Sequence, residues 1–262
     1  MTTHDRLSEL LFGFKTPILA KQLAVRLVAD GHAKALDTVL DVAEAEHLER
    51  QERKRQRLLR ASQLPLGKTF DSWDSARVGP RVAHNLSELA TGTFLASGEN
   101  VLCFGLPGRG KTHAAIALGH ALVEKGHSVL FSPAFRLVQQ LLAAKRDLNL
   151  PKALTRLDAF ELIILDDIGY IQQTPDEIEV LFTLLAERYE RRSLLITSNL
   201  VFSEWNRIFK NPMTTAAAID RLVHHCTVLE FTGQSVREEA AHKRHDSETT
   251  TTPKPTKQGA SA

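Results

Sequence analysis

The sequence has few cysteines and no long apolar run. Its 2 cysteines, Cys103 and Cys226, both lie in apolar stretches typical of strands, so we expect reduced, buried thiols. No apolar stretch approaches the ~20 residues that a bilayer-spanning helix needs. The first five residues also lack the basic and apolar segments of a signal peptide. We therefore expect a cytoplasmic protein that makes no membrane contact.

Excess charge of either sign is also lacking, since 33 basic residues face 31 acidic ones. A net charge of +2 gives no strong overall field, so a nucleic-acid surface would have to be a local basic patch. Close groups of His, Cys and acidic residues with the spacing of a metal-ion cluster are not evident. The length of 262 residues and the hydrophobic fraction of 43% fit one large globular domain with a smaller one.

A phosphate-binding loop is the strongest signal that the sequence contains. The apolar run Val101–Phe104 predicts a strand, Gly-Leu-Pro-Gly-Arg-Gly-Lys-Thr follows it, and a helical pattern comes next. In this context the N–H groups of the Gly-rich turn and of the helix start face phosphate oxygens. Lys111 is expected to meet the β- and γ-phosphates, and Thr112 to offer its hydroxyl to Mg²⁺. The predicted phosphate-binding residues are Gly105, Pro107, Gly108, Gly110, Lys111, Thr112 and His113.

Polar side chains follow two further predicted strands. Leu162–Leu165 is apolar throughout, which predicts a strand buried on both faces, and Asp166 and Asp167 come at its carboxyl end. Ligands bind at that edge of parallel sheets, so Asp166 fits the magnesium-side acid and Asp167 can orient the attacking water. The alternative is an ordinary turn after a strand. Asn199 follows the predicted strand Ser193–Thr197 and either touches the γ-phosphate or the water, or only caps its loop.

Residues 1 to about 70 carry a helical pattern. Thr16 and Pro17 form a helix start, with Thr16 as the N-cap and the proline in the first helical position, and Gly31 ends the helix. The expected inner face consists of Leu19, Leu23 and Leu27. With the helix that follows, this pair is either a helix-turn-helix that reads DNA or a plain helical hairpin that docks a partner.

A basic stretch extends the second of these helices. It combines six basic residues with two acidic ones between residues 49 and 60. One interpretation is contact with a phosphate backbone, and the other is a solvated helix face with Glu–Arg pairs. The predicted DNA-binding residues are Arg50, Arg53, Lys54, Arg55 and Arg57. An alternative DNA surface would use Arg136, Lys145 and Arg146.

These patterns divide the chain into three predicted parts. Residues 1–67 form a helical N-terminal domain for docking DNA or a partner, and residues 68–236 form an α/β domain built on a parallel sheet. Residues 237–262, rich in Thr, Lys, Pro and Ser, are too polar to bury a core and are expected to be disordered.

The sequence resembles the IstB/DnaC-like ATPases over about residues 68–232. The shared motifs include Gly-Lys-Thr-His after the loop, Ile168-Gly169-Tyr170 after the two acids, Phe-Ser-Glu-Trp, and Arg-Leu-Val-His-His. The matching segments are Gly105–His113, Leu162–Tyr170, Arg188–Asn199, Phe202–Trp205 and Asp220–His225. The match is closer to the IstB branch, the ATP-dependent helpers of transposases, than to the helicase loaders.

The resemblance implies an AAA+ phosphate-loop fold whose central parallel sheet has the strand order 5-1-4-3-2. It also implies ATP and Mg²⁺ as cofactors, with Asp166 as the magnesium acid and Asn199 as the sensor of the γ-phosphate. Phosphate and magnesium would be held by Gly105, Gly110, Lys111 and Thr112.

Arg221 matches the family's arginine finger, which reaches into the site of a neighbouring subunit. A surface arginine paired with Asp220 or Glu230 is the alternative. The chain departs from the family at Asp167, where the usual second acid is Glu. A second departure is Gly-Gln-Ser-Val-Arg at residues 233–237, where the family has Gly-Glu-Ser-Tyr-Arg. The first departure bears on the rate of hydrolysis and the second on any function of Arg237.

The function that these observations favour is an ATP-dependent helper of transposition. Such a protein would form ATP- and DNA-dependent homo-oligomers on duplex DNA, remodel the DNA, and recruit or stimulate the transposase of the same element. The alternatives are a replicative helicase loader and a nucleotide-gated DNA-binding adaptor that hydrolyses little ATP. A small-molecule kinase is disfavoured, because no acceptor pocket or lid can be recognised.

Overall fold

The computed structural model describes residues 2–170, 174–233 and 235. The chain separates into two compact units, one ending at Leu58 and the other beginning at Leu59. A long helix runs through this division, so we keep residues 1–67 and 68–236 as proposed domain limits. The tail predicted to be disordered and Arg237 lie outside the described residues.

The first unit is helical. It contains α1 (Thr3–Gly13), α2 (Pro17–Ala29) and most of α3 (Ala35–Ser62). Thr2 and Asp5 form a capping box at the start of α1, which satisfies backbone N–H groups that the helix itself leaves without partners. α3 runs without a break through the basic stretch to Ser62, as predicted. The buried core of this unit consists of Leu7, Leu10, Leu11, Ala20 and Ala43.

The predicted start of α2 is confirmed, and its predicted inner face is wrong at Leu19. Thr16 is the N-cap residue and α2 begins at Pro17, but the Thr16 hydroxyl donates to the carbonyl oxygen of Leu11 at 2.8 Å and caps no backbone N–H of the helix. Leu19 is 48% exposed, whereas Ala20 is buried. The Ser8 hydroxyl on α1 donates to the carbonyl oxygen of Ala20 at 2.5 Å, so α1 approaches α2 closely. Small side chains permit that approach, so Leu19 lies outside the contact, whereas Leu23 still packs against the buried core as predicted.

The second unit is built on a parallel sheet of five strands. The strand order is β2-β3-β4-β1-β5, and each neighbouring pair is parallel. This arrangement confirms the AAA+ strand order 5-1-4-3-2 that the resemblance implied. The strands are β1 (Asn100–Phe104), β2 (Val129–Pro133), β3 (Leu162–Asp166), β4 (Ser193–Ser198) and β5 (Cys226–Glu230).

Helices cover the sheet and connect its strands. Thr174 and Glu177 form a capping box at the start of α8, as the sequence pattern of cap, proline and acidic first turn indicates. Among the described residues, no helix combines the length and the apolar character that crossing a membrane requires. The helices are α4 (Pro80–Leu89), α5 (Lys111–Glu124), α6 (Ala134–Arg146), α7 (Leu150–Asp158), α8 (Pro175–Arg188), α9 (Asn206–Phe209) and α10 (Pro212–Val223).

The central strands β1, β3 and β4 are buried along their whole length, as their apolar runs predicted. Cys103 in β1 is buried, and desolvation raises the pKa of its thiol to about 12. Cys226 in β5 is only half-buried, which corrects the prediction that both thiols are buried. Burial still raises the pKa of the Cys226 thiol to about 11, so both cysteines are protonated and weakly nucleophilic at neutral pH.

Arg188, at the end of α8, is a buried cation that joins the starts of two strands. Its guanidinium donates to the carbonyl oxygens of Leu157 at 3.0 Å, Phe160 at 2.9 Å and Ser193 at 3.0 Å. A longer bond of 3.3 Å reaches the carbonyl oxygen of Glu161. Desolvation lowers the pKa of Arg188 to about 10, and the group is still charged at neutral pH. The bonds to residues 160, 161 and 193 hold the beginnings of β3 and β4 against α8.

Candidate functional site

The candidate site lies at the carboxyl edge of the sheet, where β1, β3 and β4 are neighbours. The loop after β1, the acids after β3 and the amide after β4 meet there, as expected at the ligand-binding edge of a parallel sheet. An open cleft at this edge is lined by Lys68, Pro107, Gly108, Arg109, Gly110, Lys111, Thr112, His113, Asp167 and Asn199. Gly105 lies at the start of the same loop. The structure thus brings together the predicted phosphate-binding residues, while their individual functions stay predictions.

Three glycines of the loop have positive φ, and two of them show why no other residue fits. Gly110 has φ +92° and immediately precedes α5, whose first N–H groups therefore open toward the loop. Gly105 has φ +145°, and a side chain there would collide with the carbonyl oxygen of Phe231. Only glycine fits these conformations without strain. The loop can consequently wrap tightly and present backbone N–H groups to an anion.

Lys111 is buried at the start of α5, with 4% of its surface exposed. Its ammonium group donates to the carbonyl oxygens of Gly105 at 2.6 Å and Leu106 at 3.0 Å, and to Oδ1 of Asn199 at 2.7 Å. These oxygens fix the cation within the loop and join it to the end of β4. A phosphate group in the cleft would meet a positive charge that is already in position.

Asp166 accepts two hydroxyl hydrogen bonds at the end of β3. Thr112 Oγ1 donates to Asp166 Oδ1 at 2.8 Å, and Thr197 Oγ1 donates to the same oxygen at 2.7 Å. A carboxylate and a hydroxyl so close together are hard oxygen ligands of the kind that Mg²⁺ prefers. Together with the N–H groups of the loop and with Lys111, Asp166 and Thr112 fit a magnesium-bound nucleoside triphosphate.

Asp167 follows in a left-handed backbone conformation, with φ +59°. Asp tolerates this region better than most residues with a side chain. Its backbone N–H donates to Thr197 Oγ1 at 2.9 Å, and the residue lines the cleft beside Asn199. A carboxylate in that place can orient a water molecule and accept its proton.

His113 lines the cleft through a different set of contacts. Its Nε2 lies 3.2 Å from the carbonyl oxygen of Thr69 and 3.2 Å from the Ser72 hydroxyl. The histidine thereby joins the start of α5 to the segment between α3 and α4. Lys68, at the beginning of that segment, was not predicted to belong to the site.

Arg221 lies on α10 and is not among the residues that line the cleft. Its guanidinium packs over the ring of Phe182 at 4.8 Å and donates to the carbonyl oxygen of Ala217 at 3.0 Å. Within the described residues, Arg221 forms no ion pair with Asp220 or Glu230, so the alternative of a surface pair finds no support there. The assignment of Arg221 as an arginine finger remains a prediction.

The basic stretch occupies the exposed part of α3. Arg50, Arg53, Lys54 and Arg57 are spaced i, i+3, i+4 and i+7, so they share one face of the helix. Arg55 lies off this face, half-buried and paired with Glu52 at 2.7 Å. Glutamates of the same helix also pair with some of the face: Arg50 with Glu46, and Arg53 with Glu49. Both features expected from the sequence, a basic face and Glu–Arg pairs, are therefore present.

Two arrangements that the fold creates have little or no signal in the sequence. Thr197, which contacts both acids, sits in an apolar strand pattern, and its only signal was its place two residues before Asn199. The second is an exposed group of Glu190, His224 and His225, whose possible metal-ligand atoms lie within 4.8 Å of one another. The His224 Nδ1 atom already lies 3.0 Å from the Tyr189 hydroxyl.

Comparison with known proteins places these features in a family. A family profile described as IstB-like ATP binding protein matches residues 16–244. An insertion sequence ATP-binding protein of Sinorhizobium fredii is 46% identical over 207 residues, which cover 78% of this chain and 70% of that protein. The insertion sequence IS5376 ATP-binding protein of Geobacillus stearothermophilus is 33% identical over 235 residues, covering 89% of this chain and 94% of that protein.

Solved structures with the same fold include a helicase loader and a domain of a replication initiation protein. The crystal structure of the DnaC helicase loader has a TM-score of 0.53 and 17% identity, covering 64% of this chain and 98% of that chain. Domain III of the Thermotoga maritima replication initiation protein DnaA has a TM-score of 0.55 and 18% identity, covering 72% of this chain and 77% of that chain. At these identities the likeness shows the shared AAA+ fold alone.

Proposed function

The chain belongs to the IstB-like ATP-binding protein family, and from this premise we propose that it is an ATP-hydrolysing helper of transposition. In this proposal it assembles as a homo-oligomer on duplex DNA in the presence of ATP and Mg²⁺. The assembly remodels the DNA and recruits or stimulates the transposase of the same element. The relatives are named as insertion sequence ATP-binding proteins, which supports action in transposition over the loading of a replicative helicase.

The observation that carries the enzymatic part is the convergence of four groups at one edge of the sheet. Lys111 and Asn199 are joined by a bond of 2.7 Å, while Thr112 bonds to Asp166 at 2.8 Å. Asp167 lines the same cleft. A cation, a magnesium-type ligand pair, a carboxylate and an amide are the groups that phosphoryl transfer from ATP to water requires.

Each group has a distinct task in this reaction. Lys111 and the loop N–H groups bind and orient the phosphates, and Thr112 with Asp166 would hold Mg²⁺, which neutralises phosphate charge when bound. Asp167 orients the attacking water and accepts its proton. Lys111 donates to Asn199, and in this proposal the Asn199 amide contacts the γ-phosphate or the water.

The partner distinguishes the proposal from its runner-up, a replicative helicase loader. We expect immobilised protein with ATP, Mg²⁺ and duplex DNA to retain the transposase of the same element, and not the replicative helicase of the host. Lys111→Ala should retain neither, because the phosphates lose their cation. Retention of the helicase together with loss of the transposase would favour the loader and contradict our proposal.

For DNA we propose the exposed face of α3 that carries Arg50, Arg53, Lys54 and Arg57. The intrahelical pairs of Arg50 and Arg53 lie at the surface, where such pairs contribute about 0–1 kcal/mol and can be exchanged for phosphate contacts. Contacts of this kind position a protein on the backbone without reading bases. Binding should therefore be largely independent of DNA sequence and strongly dependent on salt.

Changing these four residues to Gln should weaken DNA binding and flatten its salt dependence. Each lost phosphate contact lowers the slope of log K against log salt by about 0.9, so a decrease of roughly 3 to 4 is expected. The measurement is fluorescence anisotropy with a labelled duplex across a salt series. Arg55→Gln is the matched control, since Arg55 lies off the face, and it should keep the wild-type slope. An unchanged slope in the fourfold variant would move the DNA surface elsewhere, for example to Arg136, Lys145 and Arg146 on α6.

A further inference from the structure

Thr197 makes the two contacts that join the acids of the site. It is the fifth residue of β4 and is fully buried. Its hydroxyl donates to Asp166 Oδ1 at 2.7 Å and accepts the backbone N–H of Asp167 at 2.9 Å. The Thr197 hydroxyl is thus a donor to Asp166 and an acceptor from Asp167, two consecutive residues at the end of the neighbouring strand β3.

The bond to Asp166 bears on the orientation of its carboxylate. Asp166 Oδ1 accepts hydroxyl groups from Thr112 on one side and Thr197 on the other, at 2.8 and 2.7 Å. Two donors on one oxygen restrict rotation of the carboxylate. Thr197 therefore holds Asp166 in the orientation in which it meets the Thr112 hydroxyl.

The bond to Asp167 affects the backbone conformation of that residue. Asp167 has φ +59°, a conformation that residues with a Cβ adopt at a cost. The Asp167 N–H donates to the Thr197 hydroxyl. The hydroxyl that orients Asp166 therefore also holds the turn that carries the Asp167 carboxylate. Without that acceptor, the turn could relax and the carboxylate would shift within the cleft that Asp167 lines.

We propose that Thr197 is a positioning residue for ATP hydrolysis, fixing the magnesium-side acid and the water-orienting acid relative to each other. The inference rests on the proposed ATPase function. Thr197 is not among the residues that line the cleft, so it acts through the two acids and not on the substrate. Partners that orient the ligands of a metal typically contribute about 10–100-fold in metal affinity or activity.

The test compares Thr197→Val with Thr197→Ser in the full chain. Valine keeps the β-branched shape and removes the hydroxyl, whereas serine keeps the hydroxyl. We expect the valine variant to lose about 10–100-fold in kcat. It should also need more Mg²⁺ for half-maximal ATP binding, while its affinity for ATP in EDTA stays within about threefold of wild type. The serine variant should stay near wild type in each of these measurements.

Ser193→Ala is the matched control. Ser193 opens the same strand, is equally buried, and its hydroxyl has no hydrogen-bond partner in the described part of the chain. Its removal should leave the kcat and the Mg²⁺ dependence unchanged. Should Thr197→Val fail to fold, as judged by thermal melting, Thr197→Ala and Thr197→Ser provide the same comparison, since both lack the methyl group.

The outcomes separate the two proposals. Wild-type kcat and Mg²⁺ dependence in the valine variant would overturn the assignment of Thr197. Equal losses of kcat in the valine and serine variants would also overturn it, because such losses would come from changed packing and not from the missing hydroxyl. If the wild-type protein showed no turnover above that of Asp167→Asn, the ATPase proposal would fail. The Mg²⁺ dependence of ATP binding would still decide whether Thr197 orients Asp166.

Discussion

Replacing Arg221 by alanine is expected to lower ATP turnover of the DNA-bound assembly by about 10³–10⁵-fold, with little change in ATP binding by each subunit. Lys111 supplies one cation from within the subunit, and the charge that develops on the transferred phosphoryl group favours a second. Arg221 is not among the residues that line its own cleft. Its guanidinium packs on Phe182 of α8. We therefore expect it to act in the cleft of a neighbouring subunit.

Mixing two inactive variants tests this arrangement directly. Lys111→Ala should lose nucleotide binding in its own site and still offer Arg221 to a neighbour. Arg221→Ala should bind ATP and leave the neighbouring site without its finger. Mixed on DNA, some interfaces combine an intact loop with an intact arginine, so part of the ATPase activity should return.

Arg207→Ala serves as the matched control for the arginine. Arg207 is 71% exposed and pairs with Glu204 at 3.0 Å, so its loss should not alter turnover. If no mixing ratio restored activity although the two variants co-assembled, Arg221 would act within its own subunit or not at all.

Asp167→Asn is expected to lower ATP turnover by about 10²–10⁴-fold and to leave ATP binding intact. The amide keeps the size of the side chain and its compatibility with φ +59°, but it cannot accept a proton from water. Steady-state hydrolysis and equilibrium binding of ATP measure the two effects separately. Asp147→Asn changes an exposed carboxylate that does not line the cleft, and it should match wild type. Turnover at the wild-type rate in Asp167→Asn would show that another group orients the water.

Asp167→Glu should raise turnover. The carboxylate of Asp167 is set back by roughly one bond length relative to the Glu that the family usually has here, and a base must lie within about 2.6–3.2 Å of its water. Slow hydrolysis in the wild type would give a long-lived ATP-bound assembly. A wild type that turned over no ATP would favour the nucleotide-gated adaptor, provided that ATP still promoted DNA binding.

Much of this geometry could be predicted because it follows local patterns. The loop needs glycines between a strand and a helix, and the buried strand before Asp166 is apolar throughout, so both are visible in a short stretch of sequence. The strand order came from the resemblance, since periodicity does not specify which parallel strands are neighbours. The capping box of α8 was also predictable, because Thr174 and Glu177 are three residues apart.

Features that depend on contacts between distant segments could not be predicted in this way. The spacing of Leu19 is helical, but the close approach of α1 to the small Ala20 selects a different face of α2. Thr197 has the β-branched side chain of an ordinary strand residue, and only the pairing of β3 with β4 shows what its hydroxyl contacts. Lys68 lines the cleft from a segment with no motif of its own.

The buried guanidinium of Arg188 lies at the edge of the sheet opposite the site and helps to keep β3 and β4 in register. It binds carbonyl oxygens just before β3 and at the first residue of β4, and so resists sliding of one strand along the other. A slip of one residue would shift Thr197 by about 3.3 Å and turn its side chain to the other face of the sheet. Both bonds to the acids would then be lost. Arg188, at the far end of the strands, therefore helps to keep the reacting groups aligned. A substitution of Arg188 should lower activity in the same way as a substitution in the site itself.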